Sequence, residues 1–240
     1  SDMWLEPCTY GGFCSDKSDW VNADLVILWG RNTDASEPLL WDWVTTNRKE
    51  RGAKLMVIDP RCSEVAQQAD LWLQLRPGTD AALALGMINV IIQEDLYDHE
   101  FVDEWCVGFD KLAERAAEYP VDKVAEITWV PAEKIVQAAR MYATIKPACL
   151  PWGQKGGDAN GINATSTIRA KAILRAITGN IDRKGGDLLA PPSRFPPSFY
   201  EHYALPQEQR DKMIGNDRFP GLTYKGWDII SQAYPSFYPY

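Results

Sequence analysis

The chain has 240 residues, 45% hydrophobic and 24% charged, and 33 acidic against 25 basic residues set its net charge at −8. That length can bury one good-sized core or two smaller ones. No Lys/Arg run is dense enough to offset a phosphate backbone, which sets nucleic-acid binding aside, and no apolar run approaches the roughly 18 residues of a membrane span.

Residues 1–20 are rich in Gly, Ser, Asp and Cys and read as a lead-in loop. Residues 23–30 (ADLVILWG) form a continuous apolar run ended by glycine, the pattern of a buried parallel strand. A helix is expected over 38–49, opened by Pro38 after the possible cap Ser36 and closed by Gly52, with Leu39, Trp43 and Val44 facing inward. Residues 54–58 (KLMVI) predict a second strand, stopped by Pro60, and 63–68 a short helix. A third strand over 70–75 places Trp72 on one face and Leu71 and Leu73 on the other. Thr79 or Asp80 then caps an apolar helix running to Gln93, whose buried face carries Leu83, Met87, Val90 and Ile91.

This alternation predicts an α/β, Rossmann-like fold: a mostly parallel sheet with helices on both faces, spanning 21–190. Within it, 98–144 is a helical section (98–105, 109–119 and 131–144) punctuated by Pro120 and Pro131. A further strand over 148–152 leads into a glycine-rich loop and a helix at about 162–178, and Gly185 and Gly186 end the regular part. Trp105 and Trp129 read as core. Lys171 and Arg175 read as surface charges, and Asp98, Glu100, Asp103 and Glu104 as a solvated acidic face. Residues 191–240 are rich in proline and hold eleven aromatics, so an irregular, extended tail is expected there.

Cysteine usage points to no scaffold. Cys8, Cys14, Cys62, Cys106 and Cys149 form no C-x-x-C, and reduced, mostly buried thiols are expected. His99 and His202 are too few for a histidine-rich metal site, and Ser18, Asp19 and His99 form no recognisable triad.

The chemistry gathers after the strands. The loops read Trp29-Gly30-Arg31-Asn32-Thr33-Asp34-Ala35-Ser36, then Asp59-Pro60-Arg61-Cys62-Ser63, Arg76-Pro77-Gly78-Thr79-Asp80 and Trp152-Gly153-Gln154-Lys155-Gly156-Gly157-Asp158. In open α/β sheets this edge binds ligands where the strand order reverses. A nucleotide fits. Gly30 and Gly78 allow close backbone approach, and helix starts near Ser36 and Thr79 offer N–H groups to phosphate. Arg31, Arg61 or Lys155 can offset pyrophosphate charge, and Asp80 or Asp59 can accept the N1 and N2 protons of guanine. Taken singly, each glycine is only a strand end, Asp80 only a helix cap and Arg61 only half of a surface ion pair. Four such loops on one edge favour a site. The absence of G-x-G-x-x-G and of G-x-x-x-x-G-K-[ST] disfavours NAD and P-loop binding. Arg169, near the start of the last helix, is a minor candidate for anion binding.

At these loops the chain resembles the dimethyl-sulfoxide-reductase family of molybdopterin oxidoreductases. The likeness is carried by ADLVILWGRNTDAS, GAKLMVIDPR, ADLWLQLRPGTDAALALGMINVIIQEDLYDHEFV, PWGQKGGDANG and ILRAITGNIDRKGG, in that order, over about residues 20–190. Within the family the stretch from Gly86 to Thr128 is most similar to the acetylene hydratase branch.

The resemblance implies a bis-(molybdopterin guanine dinucleotide) cofactor with molybdenum or tungsten, one guanine dinucleotide being gripped here. It places Trp29, Gly30, Arg31, Asn32 and Ser36 along the phosphates and sugar. Asp59, Arg61 and Ser63 fall at the nucleoside, Gly78, Thr79 and Asp80 at the guanine, and Gly153, Gln154 and Asp158 further along the cofactor. The family's iron–sulfur domain with four spaced cysteines and its carboxy-terminal pterin-binding barrel match nothing in these residues. The chain is therefore expected to be an inactive internal piece of a larger enzyme, completed by those two domains and acting on a small-molecule substrate. The metal ligand and catalytic residues stay unassigned, with Cys8 an outside candidate. The parent is expected to be a two-electron oxidoreductase. The alternatives are a non-redox hydratase parent and a self-standing nucleotide-binding module. The compartment stays open between cytoplasm and periplasm.

Overall fold

The computed structural model describes residues 18–151, 163–189, 206–215 and 217–218. Its contacts divide the chain into two compact units, 1–190 and 191–240. In the second, the described residues hold one helical turn, Gln207–Arg210, with Gln207 Nε2 donating to Asp211 Oδ1 at 2.8 Å.

The first unit is built on four parallel strands: β1 (Leu25–Trp29), β2 (Lys54–Ile58), β3 (Leu71–Leu73) and β4 (Ala148–Cys149), in spatial order β3-β2-β1-β4. Side chains alternate across the sheet, and both faces are buried. Leu25, Ile27, Trp29, Met56 and Ile58 enter one core, Val26, Leu28, Leu55 and Val57 the other. The smaller core is roofed by α2 (Pro38–Arg51) and α3 (Glu64–Gln67). The larger is covered by α4 (Asp80–Gln93), α7 (Val121–Thr128), α8 (Ala132–Thr144) and α9 (Ala164–Ile177). A four-residue turn, α1 (Thr33–Ser36), follows β1, while α5 (His99–Trp105) and α6 (Phe109–Ala117) lie between α4 and α7. The expected α/β, Rossmann-like parallel sheet with helices on both faces is what forms.

Several local expectations change. In α2 the inward stripe is Leu40, Val44 and Asn47. Leu39 and Trp43 are 62% and 41% exposed, because five apolar residues within 39–44 leave the helix phase ambiguous. Asn47 Nδ2 donates to both Trp20 O and Ala23 O at 2.8 Å, anchoring α2 to the start of the sheet. Gly52 closes the helix in the left-handed region (φ 74°). Helix α7, which was not among the helices expected within 98–144, begins directly after Pro120 at its cap. It packs closely on α4, since a Cβ at Gly86 would lie 2.9 Å from Val124 Cγ2. Trp105 and Trp129 are surface residues, 69% and 68% exposed. Asp98 caps α5 by accepting from Phe101 N (3.1 Å) and pairs with Lys146, leaving only Glu100, Asp103 and Glu104 as the solvated acidic face. Of the described cysteines only Cys149 is buried. Burial pushes its thiol well up, the nearby Asp187 carboxylate adding to the effect, so Cys149 is inert; Cys62 is exposed and Cys106 half-buried.

The largest correction concerns Lys171 and Arg175, which are 1% and 2% exposed. Both lie on the buried stripe of α9 with Ile168 and Ala172. Arg175 donates through Nη2 to Leu150 O (2.6 Å) and pairs through Nε with Asp187 Oδ2 (3.2 Å). Asp187 Oδ2 in turn accepts from Leu150 N (3.0 Å), and its Oδ1 accepts from Ser18 Oγ. Asn180 Oδ1 accepts from Ala148 N (3.1 Å). These side chains bond the backbone of β4 and of Leu150 just after it, where a further strand would. Pairing with β1 covers Ala148 and Cys149, and the expected end at 152 lies outside the described residues. Removing the carboxylate would strand a buried guanidinium. Asp187→Ala is expected to destabilise the fold by about 3–5 kcal/mol, measured by denaturant unfolding.

Candidate functional site at the carboxyl edge of the sheet

From β1 the chain steps outward to β2 and β3, then returns to place β4 on the other flank of β1. The order therefore reverses beside β1, and the loops after the strands converge on that edge.

The first loop starts at Gly30 (φ 65°), whose N–H donates to Ile58 O at 2.8 Å. Arg31 is held by Glu37 through Nε (2.6 Å) and Nη2 (2.7 Å) and lies 5.2 Å over the Trp20 ring. Its charge is thus offset within the protein. Ser36 ends α1 and donates to Asn32 O (2.9 Å), so it caps no helix; Glu37 occupies the cap of α2. Asn32 Oδ1, Thr33 Oγ1 and Asp34 Oδ1 are buried and have no hydrogen-bond partner among the described residues. Each such atom costs about 1–3 kcal/mol when left unpaired; Asn47 Oδ1 and Tyr142 OH share that state singly, whereas here three such atoms follow one another.

In the second loop Asp59 Oδ1 accepts from Arg61 N (2.7 Å), and the Arg61 side chain is exposed. Burial raises the Asp59 pKa, and the Asp80 carboxylate raises it further against the opposing pull of Arg61. Ser63 caps α3, its Oγ accepting from Ala66 N at 3.2 Å.

In the third loop Thr79 Oγ1 donates to Arg76 O (2.6 Å), and Gly78 (φ 82°) faces open space. Thr79 sits at the cap of α4 without a side-chain capping bond. Asp80 caps nothing: it is 6% exposed, and its Oδ1 accepts from Trp29 Nε1 at 2.9 Å. The Oδ2 atoms of Asp59 and Asp80 accept no hydrogen bond from the described residues. Gly153, Gln154, Lys155 and Asp158 of the fourth loop lie outside the described residues, as do Cys8 and Cys14. Just beyond that loop, Asn163 Nδ2 donates to Gly78 O (3.4 Å).

The edge thus brings together Trp29, Gly30 and Asn32 with Asp59, Gly78 and Asp80. A cleft of ≈ 590 Å³ opens beside the third loop, lined by Gly78, Thr79, Asn163, Ser166 and Arg169. A larger one of ≈ 680 Å³, lined by Phe101, Trp105, Val107 and Ile177, contains none of the candidate residues.

Two features escaped sequence reasoning. Lys171 Nζ lies 5.5 Å over the Trp29 ring, at the end of the central strand. The signal for it was the cationic spacing 171/175 on an otherwise apolar helix face. Trp129 closes α7 in the left-handed region (φ 63°, ψ 10°), and the Arg76 guanidinium sits 5.1 Å over its ring. That backbone conformation costs an L-residue about 1–2 kcal/mol, and no sequence pattern announces it at a tryptophan.

The Asp59 shift has a stability consequence. Because folding raises its pKa, the folded state binds the proton more tightly than the unfolded chain. The ionised carboxylate therefore subtracts stability once pH rises past the folded value, and subtracts none below the ordinary carboxylate range. Asp59→Asn keeps an acceptor for the Arg61 amide. It is expected to raise the Tm at about pH 7 and to leave it unchanged at about pH 3, as read by calorimetry.

Comparison with known proteins identifies the family. The model of the molybdopterin oxidoreductase family matches residues 8–231. The chain is 50% identical over 185 residues to acetylene hydratase of Syntrophotalea acetylenica, covering 76% of this chain and 25% of that protein. It is 39% identical over 162 residues to formate dehydrogenase H of Escherichia coli (68% and 22% covered). It is 37% identical over 206 residues to the dimethyl sulfoxide reductase DmsA of the same organism (75% and 25% covered). The solved structure of acetylene hydratase from Pelobacter acetylenicus superposes with a TM-score of 0.81 at 40% identity, covering 99% of this chain and 32% of that one. The chain thus spans about a quarter of the length of the curated relatives it matches. Among the described residues no helix is long and apolar enough to cross a membrane. A parallel α/β sheet with its polar loops on one edge, matched along most of its length, places this chain in the molybdopterin oxidoreductase family.

Proposed function

We propose that the carboxyl edge of the sheet grips the guanine nucleotide end of a molybdopterin guanine dinucleotide, within a larger molybdenum or tungsten enzyme. The family implies a molybdopterin cofactor. The observation that carries the finer reading is the set of buried, unpartnered oxygens of Asn32, Thr33 and Asp34, beside two carboxylates that each keep one oxygen unengaged.

This donor and acceptor set fits the group. Asn32 and Asp34 can accept sugar hydroxyls, and the Thr33 hydroxyl can donate to a phosphate oxygen. Gly30 and Gly78 admit the ligand close to the backbone. The Oδ2 atoms of Asp59 and Asp80 suit the parallel N1–H and N2–H donors of guanine. Adenine would set its N1 lone pair against a carboxylate. With Arg31 held by Glu37, phosphate charge falls to Arg61 and the fourth loop's Lys155. Ser36, Ser63 and Thr79 border the site, while Gly153, Gln154 and Asp158 would continue it along the cofactor. When bound, the cofactor supplies the metal centre. This chain's part is to hold and orient the nucleotide and keep water from it. The rest of the parent, an iron–sulfur domain and a second pterin-binding barrel, would supply the metal ligand and the substrate pocket.

For the parent's chemistry, two-electron oxidoreduction fits the family at large. The 50% identity to acetylene hydratase favours a second reading, hydration without net redox. Turnover of the parent with and without an external electron acceptor separates the two.

Calorimetry on the 240-residue protein tests the site, with GDP and ADP as probes. GDP should bind at least about tenfold more tightly than ADP, and Asp80→Ala should weaken GDP binding by about 1–3 kcal/mol, the cost of orphaning buried polar partners. Equal affinities, or an Asp80→Ala variant that binds GDP as the parent does, would overturn the assignment.

A further inference from the structure

We infer that Trp129, a residue outside the nucleotide-binding loops, is a positioning residue for base recognition: its indole holds Arg76 and so fixes the Arg76–Asp80 loop. The inference rests on the nucleotide reading proposed above.

At Trp129 residue and backbone conflict. At the ends of α2 and α7 the chain turns through nearly the same left-handed conformation, φ 74° and ψ 20° at residue 52, φ 63° and ψ 10° at residue 129. The first position carries glycine, which adopts it freely. The second carries the bulkiest side chain, which does not. Burial does not explain the choice, because Trp129 is 68% exposed. What the indole does have is a cation: the Arg76 guanidinium lies 5.1 Å over its ring. The neighbouring backbone supports the same contact, with Arg76 N donating to Thr128 O at 2.7 Å.

Arg76 opens the third loop and Asp80 ends it. The loop is therefore pinned at both ends by tryptophans, Trp129 on Arg76 and Trp29 on Asp80. Between the pins, Thr79 Oγ1 closes back on Arg76 O, while Gly78 (φ 82°) has nothing within 4 Å of where a side chain would begin. Among the described residues one long bond reaches the loop's centre, from Asn163 Nδ2 to Gly78 O at 3.4 Å, so the loop's geometry leans on the holds at its two ends. Strain at Trp129 persists because the indole supplies one of those holds.

Trp129→Gly separates this role from a structural one, since it removes the ring and relieves the backbone together. Calorimetry with GDP on the 240-residue protein should show affinity about fivefold lower, the upper reach of an exposed cation–π pair, while the Tm stays equal to the parent's or rises. Trp129→Phe, which keeps a ring, should stay within about twofold of the parent. Arg76→Ala should match Trp129→Gly, and the double variant should be no weaker than either single one, the signature of one shared contact. Unchanged GDP affinity in Trp129→Gly, or additive losses in the double variant, would overturn the inference. So would a loss of affinity that only tracks a fall in Tm. Asp80→Ala distinguishes the two levels. If it too leaves GDP binding unchanged, the nucleotide reading has failed; if it weakens binding while Trp129→Gly does not, only the role of Trp129 has.

Discussion

The hydrogen bond from the Trp29 indole to the Asp80 carboxylate joins the last residue of β1 to the first residue of α4. Trp29 is itself 1% exposed and packed in the larger core, so the bond carries the rigidity of the sheet outward to a loop that has little packing of its own. It also fixes which oxygen of Asp80 is used up and which is left. A carboxylate with one oxygen committed to a buried donor is oriented before any ligand arrives, and preorganisation of this kind lowers the ordering cost of binding. Under the proposed nucleotide reading, specificity would rest on a residue whose first role is in the core.

The same logic runs through the return strand. Among the described residues, β4 is short and has side chains, not another strand, along its outer side. Arg175, Asp187 and Asn180 meet its backbone groups from buried positions. The glycine-rich loop that follows β4 in sequence is therefore launched from a strand held by a buried ion pair. Buried ion pairs add little net stability compared with apolar packing, but they are unforgiving of a lost partner, which suits a position where geometry matters more than free energy. The edge of the sheet bears the opposite kind of cost. Asp59 is partly buried beside Asp80 and so is destabilised as an anion, and three oxygens in the first loop lack partners. Under the proposed nucleotide reading, a bound ligand would remove these costs.

The alternation of apolar runs with capped, period-3.6 segments made the α/β class legible, and glycine with polar residues after each run marked the ligand edge. Elements whose signals are local were read well: β1 and β2, the short helix after Pro60, Gly52 and the inward face of α4. Elements whose assignment needed a phase or a partner were not. The apolar cluster Leu39–Val44 could be threaded with Leu39 inward or with Leu40 inward, and only packing on the sheet selected Leu40. Cationic Lys171 and Arg175 looked solvated because their acceptors, the Leu150 carbonyl and Asp187 for Arg175, are 25 and 12 residues away in sequence.

By itself, then, the sequence determined the fold class, the strand-end loops and the family to which they belong, because these follow from periodicity, turn residues and short contiguous motifs. Tertiary structure decided the rest. It made Asp80 a partner of Trp29 instead of a helix cap, and it satisfied Arg31 with Glu37 before any phosphate. It buried two cations, and it left Trp129 exposed in a strained turn over Arg76. Each of these outcomes depends on which groups the folded chain brings within hydrogen-bonding or stacking distance. The spacing of residues along a strand or helix does not contain that information.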